Sequence, residues 1–208
     1  MKLTSSDFVH MGRLDSQFAF CAPDPNAHVR SGDNRNPDIG WTQPPYGTRS
    51  LVLICFDPDV PTSSDDVNKE GRVIPTALAR RTFYHWVMVD IPPNVGSIIQ
   101  GTCSSGVIAH GKKDVPGPAG SRQGLNDFTG WFAGNPAMGG SYYGYDGPCP
   151  PWNDQRLHHY HFAIRATDLA RCPVEGAFTG AEVEAAISGH VLAETSLIGT
   201  YSLNPALM

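Results

Sequence analysis

Short apolar runs separated by turns rich in Gly and Pro make up most of this chain, and within the runs the pattern repeats every two residues. The clearest run, Ser50-Leu51-Val52-Leu53-Ile54-Cys55-Phe56, is apolar on both faces and reads as a central β-strand. It leads into Asp57-Pro58-Asp59-Val60-Pro61, where the prolines are expected to end the ladder, and then into a polar loop from Thr62 to Arg72. A second strand is predicted over Phe83 to Ile91. Alternation puts Phe83, His85, Val87 and Val89 on one face, with Tyr84, Trp86, Met88 and Asp90 on the other. Pro92-Pro93-Asn94 stops it. A third strand, Leu157 to Thr167, puts His158, Tyr160, Phe162 and Ile164 on one face and His159, His161, Ala163 and Arg165 on the other.

Between His110 and Pro151 lies a long stretch of Gly, Pro, Asn and Asp with one aromatic island, Phe128-Thr129-Gly130-Trp131-Phe132. Long irregular loops in compact domains tend to carry function. The span from Trp131 to Trp152 is open to two readings: a contact surface for a second copy or another protein, or a loop folded onto its own core. Thr179-Gly180-Ala181-Glu182 reads as a capping box opening a C-terminal helix over Ala181 to Ser188. Another helical turn or two is expected over His190 to Thr195, and a last short strand around Thr200-Tyr201-Ser202. The whole is read as one mainly β domain, residues 1 to 208.

Composition refines this picture. With 40% hydrophobic residues the chain can fill a core, so its 22 Gly and 18 Pro belong to turns rather than to disorder. A net charge of −5 and the lack of a basic cluster argue against nucleic acid as a partner. No 18-residue apolar run offers a membrane span, and Met1 to Asp7 has no apolar signal region. The five cysteines are irregularly spaced without a C-x-x-C pair, so reduced thiols and a cytoplasmic location are expected.

Three polar residues stand where strands meet loops: Asp57, His85 and His158. In antiparallel strands such positions fall at one edge of the sheet and can converge. Taken singly, each is more often a hydrogen-bonded core residue. An enzyme, hydrolytic or metal-dependent, built on these three is the alternative to a binding site. No G-x-S-x-G elbow occurs. Cys149, flanked by Pro148 and Pro150, reads as a packed, inert thiol rather than a nucleophile paired with His158. His159 and His161 could both face one ion, but no further spaced ligand accompanies them. Neither catalysis nor a metal or other cofactor is expected.

The wording around these residues resembles the phosphatidylethanolamine-binding protein family, also called Raf-kinase-inhibitor-like, in its bacterial branch. The likeness is carried by Asp57-Pro58-Asp59-Val60-Pro61, by Phe83-Tyr84-His85-Trp86-Val87, and by Gly144-Tyr145-Asp146-Gly147-Pro148-Cys149-Pro150-Pro151 followed by His158-His159-Tyr160. His159 and Phe83 stand where many members have Arg and Trp. The resemblance implies a compact fold of two antiparallel sheets with a few short helices, and a pocket for phosphate, acetate or a phospholipid head group. It implies ligand contacts from Asp57, Asp59, Pro61, His85, Gly147, Pro148, His158 and Tyr160. Kinase inhibition is known in particular eukaryotic members and homodimerisation in some bacterial ones, so the resemblance leaves room for a homodimer and for modulation of a partner protein such as a kinase or protease.

Chemically, the imidazoles and the Tyr160 hydroxyl are donors for an anion, the turn at Gly147 offers backbone N–H groups, and Asp57 would orient a histidine. Phosphate binding is then expected to weaken from about pH 6 to about pH 8 as histidine loses its proton. His85→Ala and His158→Ala are each expected to abolish binding and leave the fold intact.

Overall fold

In the computed structural model, which describes all 208 residues, strands far outnumber helices. In chain order they are β1 (Lys2–Thr4), β2 (Gly12–Arg13), β3 (Cys21–Asp24), β4 (His28–Ser31), β5 (Ile39–Thr42), β6 (Ser50–Pro61), β7 (Arg80–Ile91), β8 (Ser97–Ile98), β9 (Arg122–Gln123), α1 (Phe128–Trp131), β10 (His158–Thr167), α2 (Gly180–Ala186) and β11 (Val191–Tyr201). A large sheet has the order β2-β11-β10-β6-β7-β9 and a small one β1-β5-β8, with β3 and β4 forming a separate hairpin. All pairings are antiparallel except β11 with β2.

The main core lies between the two sheets. Leu3, Ile39, Trp41 and Ile98 of the small sheet meet Leu51, Leu53, Trp86, Met88, Phe162 and Ile164 of the large one. The other face of the large sheet, with Val52, Ile54, Val87 and Val89, is covered by Val183 and Ile187 at α2 and by Phe178 and Cys172. Thr179 and Glu182 form the expected capping box, and α2 ends at Ala186, two residues before Ser188. Gly180 is required there: a Cβ would come within 2.4 Å of the Tyr84 ring.

Three expectations need correction. First, Pro58 does not end the central strand: β6 runs on to Pro61, its last residue, with Val60 and Pro61 still registered on Arg81 and Arg80. Pairing with β10 stops at Phe56, so beyond it β6 is an edge, where a proline leaves no ladder bond unmade. Second, alternation breaks in β7. Cys55 pairs with Trp86 but Phe56 with Tyr84, so His85 is the extra residue of a β-bulge. Tyr84 consequently joins the side of Val87 and Val89, while the His85 ring meets Tyr160 on the side of Trp86. Third, residues 191–201 form an eleven-residue strand rather than a helical turn followed by a short strand. Val191, Leu192 and Ala193 show no alternation, and pairing with β10 along its length overrides the local pattern.

Candidate functional site

The two breaks in regularity, at the end of β6 and at the β7 bulge, lie on adjacent strands and open a cavity of about 630 Å³. Asp57, His85, His158 and Tyr160 are buried at its floor. Phe83, Phe128, Pro61, Pro150 and Pro151 wall it, and Arg81, Trp131, Ser63 and Asn68 stand at its mouth.

His158 is held from both sides. Its Nδ1 is 2.6 Å from Asp57 Oδ2 and its Nε2 3.2 Å from Asp154 Oδ2. Asp154 is itself forked onto the Arg80 guanidinium, and the second Asp57 oxygen accepts the Asp59 N–H at 2.8 Å. Burial works against charge on His158, but Asp57 and Asp154 outweigh it and push its pKa up to about 9. His158 is thus an imidazolium at neutral pH with both N–H groups already engaged.

His85 is held differently. Its Nδ1 lies 2.7 Å from the carbonyl oxygen of Asp146, which can only accept, so Nδ1 carries the hydrogen and donates. Burial lowers its pKa, against the pull of Asp57, the Asp146 carbonyl and the carboxylates of Asp127 and Asp146. Neither the Nε2 atom nor the Tyr160 hydroxyl makes a hydrogen bond within the chain; both belong to cavity-lining side chains and keep some exposure to the cavity.

Behind His85 lies a buried polar network. The Asp146 carboxylate accepts from Asn34 Nδ2 at 2.7 Å, from Asn126 Nδ2 at 2.8 Å, and from Lys112 Nζ. Its backbone N–H returns a bond to the His85 carbonyl at 3.0 Å. This network fixes the loop whose carbonyl sets the His85 tautomer.

Of the eight residues expected at the site, Asp57, Pro61, His85, His158 and Tyr160 come together at the cavity. The structure places the other three outside it. The Asp59 carboxylate turns away to His159 Nδ1 at 2.8 Å and Arg156 at 3.2 Å. The Gly147 N–H, expected to face an anion, donates instead to Asn34 Oδ1 at 2.8 Å. Gly147 packs so closely on the Phe18 carbonyl that a Cβ would lie 2.0 Å from its oxygen. Pro148 accepts from the Cys21 N–H and is likewise off the lining.

The cysteine expectation also fails. Cys149, on the cavity wall, is disulfide-bonded to Cys21 at the start of β3, while Cys55, Cys103 and Cys172 are free and buried. The aromatic loop folds largely onto the body: Phe132 and Tyr142 pack with Phe20, Phe83 and Phe128, leaving Trp131 44% exposed at the mouth.

Sequence reasoning missed Arg81, Asp154 and the Asn34, Lys112 and Asn126 network. Arg81 could have been found, since extending the period-two face of Phe83 and His85 backwards reaches it. The network has no such signature, because its members are far apart in sequence.

A family model described as phosphatidylethanolamine-binding protein matches residues 4–202. The UPF0098 protein YbhB of Escherichia coli is 30% identical over 202 residues, 97% of this chain and all of YbhB. The crystal structure of E. coli YbcL, described as a new member of the mammalian PEBP family, superposes with a TM-score of 0.69 at 26% identity, covering 97% of each chain. The Chlamydia trachomatis protein CT736 shares the fold, with a TM-score of 0.64 at 24% identity over 97% of this chain and 96% of its own. The chain belongs to the phosphatidylethanolamine-binding protein family.

Proposed function

We propose that this cavity binds a small anionic ligand, a phosphate, carboxylate or phospholipid head group, without chemical turnover. The observation that carries the reading is the pairing of one cation free of ion pairs with two unpartnered polar atoms. Arg81 at the mouth enters no ion pair, and below it the Tyr160 hydroxyl and His85 Nε2 lack partners. The charges beneath them balance, since Asp57 and Asp154 are matched by His158 and Arg80. Arg81 and the Asp127 carboxylate, which act on each other without forming an ion pair, are the remaining charges near the mouth, and of the two Arg81 lines the cavity. The apolar walls suit an organic group attached to the anion.

Several features support binding over catalysis. Both oxygens of Asp57 and both nitrogens of His158 are engaged, which leaves neither free for proton transfer. Cys149 is tied in a disulfide, and no Ser, Thr or Cys side chain is hydrogen-bonded to His85 to serve as an activated nucleophile. A partner protein presenting a phosphorylated or acidic side chain would meet the same mouth beside Trp131. No helix is long and apolar enough to cross a membrane. The cytoplasmic expectation rested on the absence of an apolar signal region together with reduced thiols, and the Cys21–Cys149 bond, typical of oxidising compartments, takes away the second of these.

The test is calorimetric titration with phenyl phosphate, chosen for its anion and its ring. His85→Ala should weaken binding at least about tenfold and Arg81→Gln by about threefold, reflecting a buried and an exposed polar contact respectively. Unchanged affinity in both variants contradicts the assignment, as does release of inorganic phosphate that both variants abolish.

A further inference from the structure

We propose that the open edge of β11 pairs antiparallel with the same edge of a second copy of this chain, about a two-fold axis at Thr195, joining the two large sheets into one. This surface shares no residue with the cavity lining and does not depend on what the cavity binds.

In the large sheet β11 lies between β10 and β2, but β2 reaches only Gly199 and Thr200. Two bonds show which way the backbone of β11 points. The Ile198 carbonyl accepts the Met11 N–H at 2.7 Å, and the Thr200 carbonyl accepts the Leu14 N–H at 2.8 Å. Both residues therefore turn their backbone groups away from β10. Along a strand these groups alternate in direction, so Ser196 and Glu194 point the same way as Ile198. With β10 on the far side and β2 stopping short, their N–H and C=O groups are open, and both residues are exposed.

Folded proteins commonly guard such an edge with Pro, Lys, a bulge or an outstanding charge. Ala193 to Leu197 carries no Pro and no Lys. Its one charge, Glu194, is turned back onto Arg165 Nε at 2.8 Å, and the bulge of β11 falls beyond it, at Leu192. An unguarded edge is a template for another strand. Antiparallel pairing of two identical edges closes at two copies and leaves nothing for a third to extend.

The open groups fix the register. Setting Glu194 of one copy opposite Ser196 of the other, and the reverse, satisfies the free N–H and C=O groups of both residues on both copies. Thr195 then faces its own counterpart, a favourable cross-strand pair, whereas a register centred on Glu194 would oppose two carboxylates. The ends of the edge match as well. Val9 and Met11 stand exposed in the turn bonded to Ile198, and Val191 and Leu192 stand exposed at the opposite end. Antiparallel reversal brings Met11 of each copy to Leu192 of the other, covering apolar surface that the single chain leaves in water.

Sedimentation equilibrium of the full chain from about 1 µM to about 1 mM tests this, because so small an interface should dissociate within that range. The mass should rise from 22.4 kDa to twice that value. Ser196→Pro removes an N–H that the chain itself leaves unpaired, so it should keep the circular dichroism spectrum and weaken dimerisation at least about tenfold. Met11→Lys and Leu192→Asp should each weaken it at least about threefold, and both in one chain should restore it to within about twofold, since reversal sets the Lys against the Asp. A chain that stays monomeric throughout overturns the proposal. So does a dimer that all these variants leave unchanged, which puts the contact elsewhere. Weakening in the single charge variants without rescue in the double variant overturns the axis at Thr195.

Discussion

His158 shows how a residue at the right place can hold the wrong role for contact. It was legible in the sequence as a member of the constellation, and it does reach the cavity floor. Its two carboxylate partners, however, make it a buried cation that fixes β10 against β6 rather than a free donor. Its raised pKa makes its charge a stability term: the contribution is complete below the ordinary value near 6.5 and is lost as pH climbs through about 9. That shift corresponds to about 3 kcal/mol in a fully coupled case. Urea unfolding is expected to show stability declining between about pH 6 and about pH 10, with a smaller decline in Asp57→Asn. A profile that is flat and the same in both proteins would contradict the buried imidazolium. For the same reason, His158→Ala should not leave the fold intact, as the sequence alone suggested. It leaves Asp57 unpaired in the interior, a change that typically costs about 3–5 kcal/mol. The pH dependence expected from histidine ionisation does not come from His158, which titrates at about 9, and burial shifts His85 downward from its ordinary value.

At the level of elements, strand existence was legible and strand irregularity was not. The apolar runs of β6, β7 and β10 announce themselves, and the two faces of β10 follow alternation as read. The bulge at His85 carries no local signal, because it arises from the register with β6 and not from β7 itself. It nevertheless aims His85 into the cavity. The disulfide is another long-range feature. Cys21 and Cys149 are 128 residues apart, and nothing in their spacing marks them as partners. The bond ties β3 to the segment that walls the cavity, alongside the Cys21 N–H bond to Pro148. Alkylation of denatured, unreduced protein should label three cysteines, Cys55, Cys103 and Cys172, and leave two unlabelled. Labelling of all five would contradict the pairing. Closing so long a loop should stabilise the fold by about 2–5 kcal/mol, so Cys21→Ser is expected to lower the midpoint of unfolding markedly.

For the molecule as a whole, the mainly β fold of two antiparallel sheets with short helices is as the sequence implied, with the β3–β4 hairpin added. The sandwich supplies a rigid floor: the strands that carry Asp57, His85, His158 and Tyr160 are neighbours in the centre of the large sheet. The mouth comes from Arg81 at the start of β7, Trp131 at the end of α1, Ser63 in the loop after β6 and the disulfide-linked wall. That division leaves the ligand to be selected by a few polar atoms set on a fixed base. The measurement that tests the central claim most directly is a crystal structure of the protein soaked with phenyl phosphate. A phosphate oxygen should lie within about 3 Å of both the Tyr160 hydroxyl and His85 Nε2, with the ring between Phe83 and Trp131. A phosphate bound elsewhere on the surface, with the cavity holding only water at a saturating concentration, would contradict the account.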